Sequence, residues 1–212
     1  MVEQLLSQVE LDPCLRSGVD YAHLVAQALD VTTFRDVTCS SAETDNILTT
    51  PTTGLLPADT QPPQIDAVTS RTSLVTITIG GNDAGLVGIA YGCLNLLPPP
   101  IGQSCAAQDT AGGVDIGAQD VDAVGPKLAT VLDAVHHKVP HASILITSYT
   151  DYVQHDGCYP LQPFLPEDAN YLQGLVDRLG ALTQRIAKQH HATYVDLITP
   201  AQGHDGCQLT QN

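Results

Sequence analysis

The stretch Leu74-Val-Thr-Ile-Thr-Ile-Gly-Gly-Asn-Asp83 decides the fold. Its first six residues have the β-branched composition of a buried strand. Two glycines then break the run sharply, and the residues that follow are turn formers. A strand closed by such a turn sends its next side chains into the space beyond the strand end. Asn82 brings a neutral amide donor there, suited to a carbonyl oxygen that becomes an oxyanion during acyl transfer. Plain turn chemistry accounts for Gly-Gly-Asn-Asp equally well, so these residues by themselves leave both readings open.

Outward from this segment the apolar pattern alternates between two periods. Tyr21, Leu24, Val25, Ala28 and Leu29 recur at helical spacing, with Asp20 placed to cap the start. Phe34 to Cys39 reads as a short strand, and Ser40 to Arg71 as a long connection rich in Thr, Pro and Asp. Tyr91 to Gly113 is a second irregular stretch. Val121, Val124, Leu128, Val131, Leu132 and Val135 mark one helix face. Ser143 to Ser148 follows as a strand. A long helix capped by Asp168 carries the stripe Leu172, Leu175, Val176, Leu179, Leu182 and Ile186, and Ala192 to Leu197 is the last strand. Strands and helices alternating in this way argue for an α/β fold with a parallel sheet covered on both faces, in one domain over residues 1–212. In such sheets ligands sit beyond the carboxyl ends of the strands, where Asn82 and Asp83 fall.

Composition narrows the function. Eight basic residues against 23 acidic ones give a formal charge of −15, a surface that repels phosphate backbones and excludes nucleic acid as a partner. No apolar run reaches the length that spans a bilayer. None of the six cysteines sits in a CxxC pair, which points to three disulfides and an oxidising compartment rather than to zinc, with 15 pairings open. Met1 to Glu10 does not read as a signal peptide, so a chain furnished for export lacks an export signal. His136 and His137, and likewise His190 and His191, fall at predicted helix ends, where capping explains them without a metal. No cofactor is expected.

Gly80-Gly81-Asn82-Asp83 resembles block III of the SGNH (GDSL-type) hydrolases, and Val37-Thr-Cys-Ser-Ser-Ala42 resembles their block II, with Ser41 where the family has glycine. Cys14-Leu-Arg-Ser17 before Tyr21, Asn170-Tyr-Leu172, and Tyr194-Val-Asp-Leu197 followed by Gly203-His-Asp-Gly-Cys207 are similar to the three-disulfide branch of bacterial secreted esterases. The resemblance implies a flavodoxin-like three-layer αβα sandwich, ester hydrolysis of a small-molecule or lipid substrate, a secreted monomer, and the pairs Cys14–Cys39, Cys93–Cys105 and Cys158–Cys207. It implies two oxyanion donors, the Asn82 amide and the backbone N–H of Ser41. Were Ser41 left-handed, its Cβ would cost about 1 kcal/mol or more.

Two family elements are not recognisable. Block I should place a nucleophile in a Gly-Asp-Ser turn after the first strand, but Ser7, in Leu5-Leu6-Ser7-Gln8, has neither strand nor glycine turn around it. Block V should supply a histidine well after the last cysteine, whereas His204 lies in the segment that closes the third disulfide. Three expectations follow: a piece of an esterase lacking its first strand and last helix, an inactive relative that binds an acyl or glycan ligand in the old cleft, or an active hydrolase built on Ser7 and His204. On the first, an unpaired sheet edge makes the chain aggregation-prone, offset by disulfides at roughly 3 to 4 kcal/mol each.

Overall fold

The computed structural model describes residues 14–53, 60–97 and 101–208. In chain order its elements are helices α1 (Tyr21–Ala28) and α2 (Thr44–Leu48), strands β1 (Thr52–Thr53), β2 (Thr60–Gln61) and β3 (Leu74–Ile77), and helices α3 (Leu86–Gly92), α4 (Cys105–Asp109) and α5 (Ile116–Lys138). Strand β4 (Ser143–Thr147), helix α6 (Pro166–Gln189), strand β5 (Thr193–Val195) and helix α7 (Ile198–Ala201) complete it. Strands β3, β4 and β5 form a parallel sheet in that order, and β1 pairs with β2 in a small antiparallel ladder.

Register decides which residues are buried. Val75 lies opposite Ile144 and Ile77 opposite Ile146, so strand alternation puts these four on one face. Helices α5 and α6 cover that face. Val124, Leu128, Val131, Leu132 and Val135 of α5 join Leu175, Leu179 and Leu182 of α6 in a single buried cluster with Ile77, Ile144 and Ile146. Each fully buried leucine there stabilises by about 1.5 to 3 kcal/mol relative to exposure. The stripe spacings read from the sequence are the cause: each repeats every three or four residues and so stays on one side of its helix.

The other sheet face is more polar. Thr76 and Leu145 are half-buried and Thr78 is exposed. The Thr78 and Thr147 hydroxyls meet at 2.6 Å, and the Tyr21 hydroxyl of α1 reaches Thr78 at 3.1 Å. Helix α1 is capped as expected, with the Asp20 carboxylate accepting from the His23 N–H at 2.9 Å, yet it buries no residue among those described. The three disulfides are Cys14–Cys39, Cys93–Cys105 and Cys158–Cys207, the pairs the resemblance implies.

Three readings need correction. Phe34 to Cys39 is in no strand. Its polar groups are met elsewhere: the Asp36 carbonyl by Arg16 at 3.0 Å and the Thr38 N–H by the Asp36 carboxylate at 2.9 Å, while Arg35 reaches the Ala67 carbonyl. The connection from Ser40 to Arg71 contains α2, both strands of the small ladder and a 3-10 turn over Gln64–Ala67. Asp168 does not cap its own helix, which starts at Pro166 behind Leu165. Fully buried, its Oδ1 instead accepts from the Ser104 hydroxyl at 2.6 Å and the Ala106 N–H at 3.0 Å, closing the start of α4.

Replacing Asp168 by alanine leaves the Ala106 N–H and Ser104 hydroxyl without that acceptor, at a cost of about 1 to 3 kcal/mol. Hydrogen exchange should accelerate at the α4 amides, while the first turn of α6 keeps its protection. Equal loss in both would refute the cross-helix cap.

Candidate active site

The turn after β3 is fixed by close packing. Gly80 has φ +109°, and a Cβ there would meet Val124 Cγ1 at 3.0 Å. At Gly81 a Cβ would lie 2.8 Å from the Tyr149 hydroxyl, the same oxygen that accepts the Gly81 N–H at 2.9 Å. Tyr149 follows β4, so the parallel register of β3 and β4 is what brings it under the turn. Burial pushes its hydroxyl up to about 12, partly countered by the Gly81 N–H.

Beyond the turn, Asn82 and Asp83 reach across to the segment that follows Cys39. Asn82 Nδ2 donates to the Ala42 carbonyl at 2.8 Å. That uses one of its two N–H bonds. The Asp83 side chain, only 1% exposed, accepts from the Thr44 N–H at 2.9 Å, the Thr44 hydroxyl at 2.6 Å and Lys127 Nζ of α5 at 3.1 Å. Asp83 therefore closes the start of α2, where a carboxylate suits the unpaired N–H groups of a helix N-terminus.

Ser41 sits between these anchors. Its φ is +65°, the left-handed region, and it is exposed. The neighbouring N–H groups are engaged, Ser40 with the Cys14 carbonyl and Ala42 with the Cys39 carbonyl. The Ser41 N–H donates to nothing among the described residues. Ser41 and Asn82 line one open cavity of about 240 Å³ with Glu43, Gly85, Val87 and Gly88. A neighbouring cavity of about 250 Å³, lined by Glu43, Thr44, Asp45, Leu48, Asp83, Lys127 and Thr130, lies over the Asp83 network.

The other site candidates are placed apart from this cavity. His204 is exposed, does not line it, and spends its N–H on the Ala201 carbonyl at 2.9 Å. The adjacent Asp205 is buried and accepts from the Cys207 N–H at 2.8 Å, a turn that serves the third disulfide. Ser7 lies outside the described residues. His136 and His137 do fall in the last turn of α5, and His190 at the end of α6 contacts Asp133 at 2.7 Å. Asp20, His23 and Asp36 bring potential metal-ligand atoms within 4.8 Å of one another, an arrangement that the α1 cap and the Asp36 turn explain.

What sequence reasoning missed is the stitching: Thr44, Lys127 and Tyr149 gave no local signal, because their roles depend on register and helix rotation. Glu43 and Asn46 form a reciprocal capping box that marks the start of α2, but it carries no sign of the link from Thr44 to Asp83.

An α/β sheet with a cavity past its strand ends, bounded by a glycine turn and a left-handed loop residue, is the class of architecture defined here. The chain belongs to the GDSL-like Lipase/Acylhydrolase family, whose pattern matches residues 7–211. It is 31% identical to lipase 2 of Streptomyces coelicolor over 203 residues, covering 92% of this chain and 65% of that protein. A lipase of Streptomyces rimosus is 29% identical over 195 residues, again 92% of this chain and 64% of the relative. The chain thus spans about two thirds of the curated relatives' length. Among solved structures, the extracellular lipase of S. rimosus superposes with a TM-score of 0.74 at 25% identity, covering 93% of this chain and 75% of the other. Phospholipase A1 of Streptomyces albidoflavus gives 0.74 at 26%, covering 92% of this chain and 73% of the other. The fold is therefore that of the SGNH lipases.

Ser41→Gly should raise the unfolding free energy by about 0.5 to 1 kcal/mol, the left-handed strain relieved less the added entropy of glycine. Urea titration checks it, and a destabilised variant would contradict the strain. For Tyr149 the raised value means that neutral hydroxyl is favoured by folding. Its contribution is complete below about pH 10 and is lost as pH rises towards about 12. Tyr149→Phe should lack this alkaline component while losing about 1 to 3 kcal/mol at neutral pH, because the buried Gly81 N–H loses its acceptor.

Proposed function

We propose that this chain, as one domain over its whole length, is a secreted carboxylic ester hydrolase whose oxyanion donors are the Ser41 N–H and the Asn82 amide. The observation that supports it is the convergence of Ser41 and Asn82, from distant loops, on one cavity beyond β3. In this reading the ester carbonyl oxygen enters the cavity and accepts from the Ser41 N–H and from the second N–H of Asn82 Nδ2. Charge that develops on that oxygen is then met by donors already fixed in place, so little reorganisation opposes the reaction. The first N–H of Asn82, held by the Ala42 carbonyl, sets the orientation of the second. The three disulfides and the extracellular relative support secretion. Among the described residues no helix is long and apolar enough to cross a membrane.

A second reading has an observation of its own. No histidine lines the cavity among the described residues, and His204 is exposed elsewhere. That favours a chain that binds an acyl or glycan ligand without turning it over. A missing nucleophile or base costs on the order of a million-fold in a serine hydrolase, far more than two retained donors supply.

Hydrolysis of a soluble p-nitrophenyl ester separates the two. Under the esterase reading, Asn82→Ala lowers kcat/KM by about 10² to 10³, and a fluorophosphonate leaves an adduct that mass spectrometry maps to one serine. Saturable ester binding with neither turnover nor adduct would establish the second reading instead.

A further inference from the structure

From Ala84 to Gln108 the chain has no Asp, Glu, Lys, Arg or His, although 31 of its 212 residues are Lys, Arg, Asp or Glu, the sum of 8 and 23. This charge-free stretch begins at the candidate site. Val87 lines the cavity with Ser41 and Asn82 and is 56% exposed. Tyr91 lies one helical turn further along α3 and is 71% exposed. Leu94, Leu96, Leu97 and Ile101 follow, and Leu96 at 84% is nearly bare.

These side chains are held outward by a built platform. The Cys93–Cys105 disulfide closes the loop at its base, both cysteines buried in a small cluster with Val153, Ala169 and Leu172. The Asn95 N–H donates to the Pro163 carbonyl at 2.7 Å, and the Tyr159 hydroxyl donates to the Leu96 carbonyl at 3.1 Å. The backbone is thus anchored while Leu96 and Leu97 face water. Apolar surface presented in that way, beside a ligand cavity, is the mark of a surface made to meet another apolar phase.

We propose that Val87, Tyr91, Leu94, Leu96, Leu97 and Ile101 form a docking surface for an uncharged lipid interface, from which an acyl chain reaches the cavity along α3. The proposal rests on the ester-hydrolase reading and names its substrate as an aggregated long-chain ester. Charge selects the occupant: a protein at −15 is repelled by an anionic membrane, and the stretch offers no cation to anchor one. Neutral or zwitterionic lipid meets the patch without that penalty. Binding then scales with apolar area removed from water and depends little on salt.

Flotation of the full chain with phosphatidylcholine vesicles tests this without reference to turnover. The chain should float with the vesicles at low and high salt, and less when phosphatidylserine is added. The pair L96S and L97S together should weaken partitioning by about tenfold or more. L29S, which removes another exposed leucine just past the end of α1, should leave it unchanged. Circular dichroism and a thiol assay confirm that the variants fold and keep their disulfides, and Y91S gives a second reading if the double variant does not. Vesicle binding without ester turnover upholds the docking surface and counts against the esterase reading alone. No flotation, equal loss with L29S, or a parent dimer that the double variant converts to monomer in sedimentation would overturn the proposal.

Discussion

A buried carboxylate at the end of β3 organises the site. Asp83 brings a charge to a position 1% exposed, which is tolerable only because three donors converge on it. Two of them belong to Thr44, so the start of α2 is clamped to the strand-end turn. The third, Lys127, is half-exposed and carries the clamp to α5, whose apolar stripe is the centre of the core. The loop that holds Ser41 is therefore located by the same helix that covers the sheet. Its position depends on the packing of α5 rather than on any preference of its own.

That dependence explains which parts of the molecule could be read from residues alone. The core could, because a stripe such as Leu128, Leu132 and Val135 keeps its meaning wherever its helix is placed. The strand-end turn could as well, since two glycines after a β-branched run mark a break and Gly80 has a positive φ, although the Tyr149 ring that crowds Gly81 arrives only through the register of β4. Asp168 shows the opposite case. Three residues into a helix it looks like a cap for that helix, but burial turned its carboxylate to Ser104 and Ala106 on another element. Phe34 to Cys39 has the composition of a strand, yet composition does not supply a neighbour, and strand structure exists only as pairing.

The sheet makes the same point about completeness. One face of β3 and β4 is sealed by α5 and α6, whereas the other carries Thr76, Thr78 and Thr147 with Tyr21 of α1 laid across them. Among the described residues β3 has a ladder partner on one side only. Parallel sheets are ordinarily buried on both faces, and their strands are correspondingly apolar. The threonines on this second face suit a half-buried environment, where Thr78 and Thr147 satisfy their hydroxyls with each other. The expectation of a sheet covered on both faces is met on one side by α5 and α6, and on the other Thr147 is buried and Tyr21 of α1 lies against Thr78.

Ser41 is where strain and organisation meet. A non-glycine residue in the left-handed region persists only where its surroundings over-determine it, and the surroundings here do. Cys39, two residues before, is fixed by the disulfide to Cys14. Ala42, one residue after, is held through its carbonyl by Asn82, and Thr44 by Asp83. Between these anchors Ser41 keeps its positive φ at the edge of the cavity, with its N–H bonded to nothing among the described residues. A serine costs more than glycine at this position, but it carries the same backbone N–H. Under the proposed reading the loop acts through its backbone, and the side chain at position 41 is free to vary within the strain that the anchors can hold.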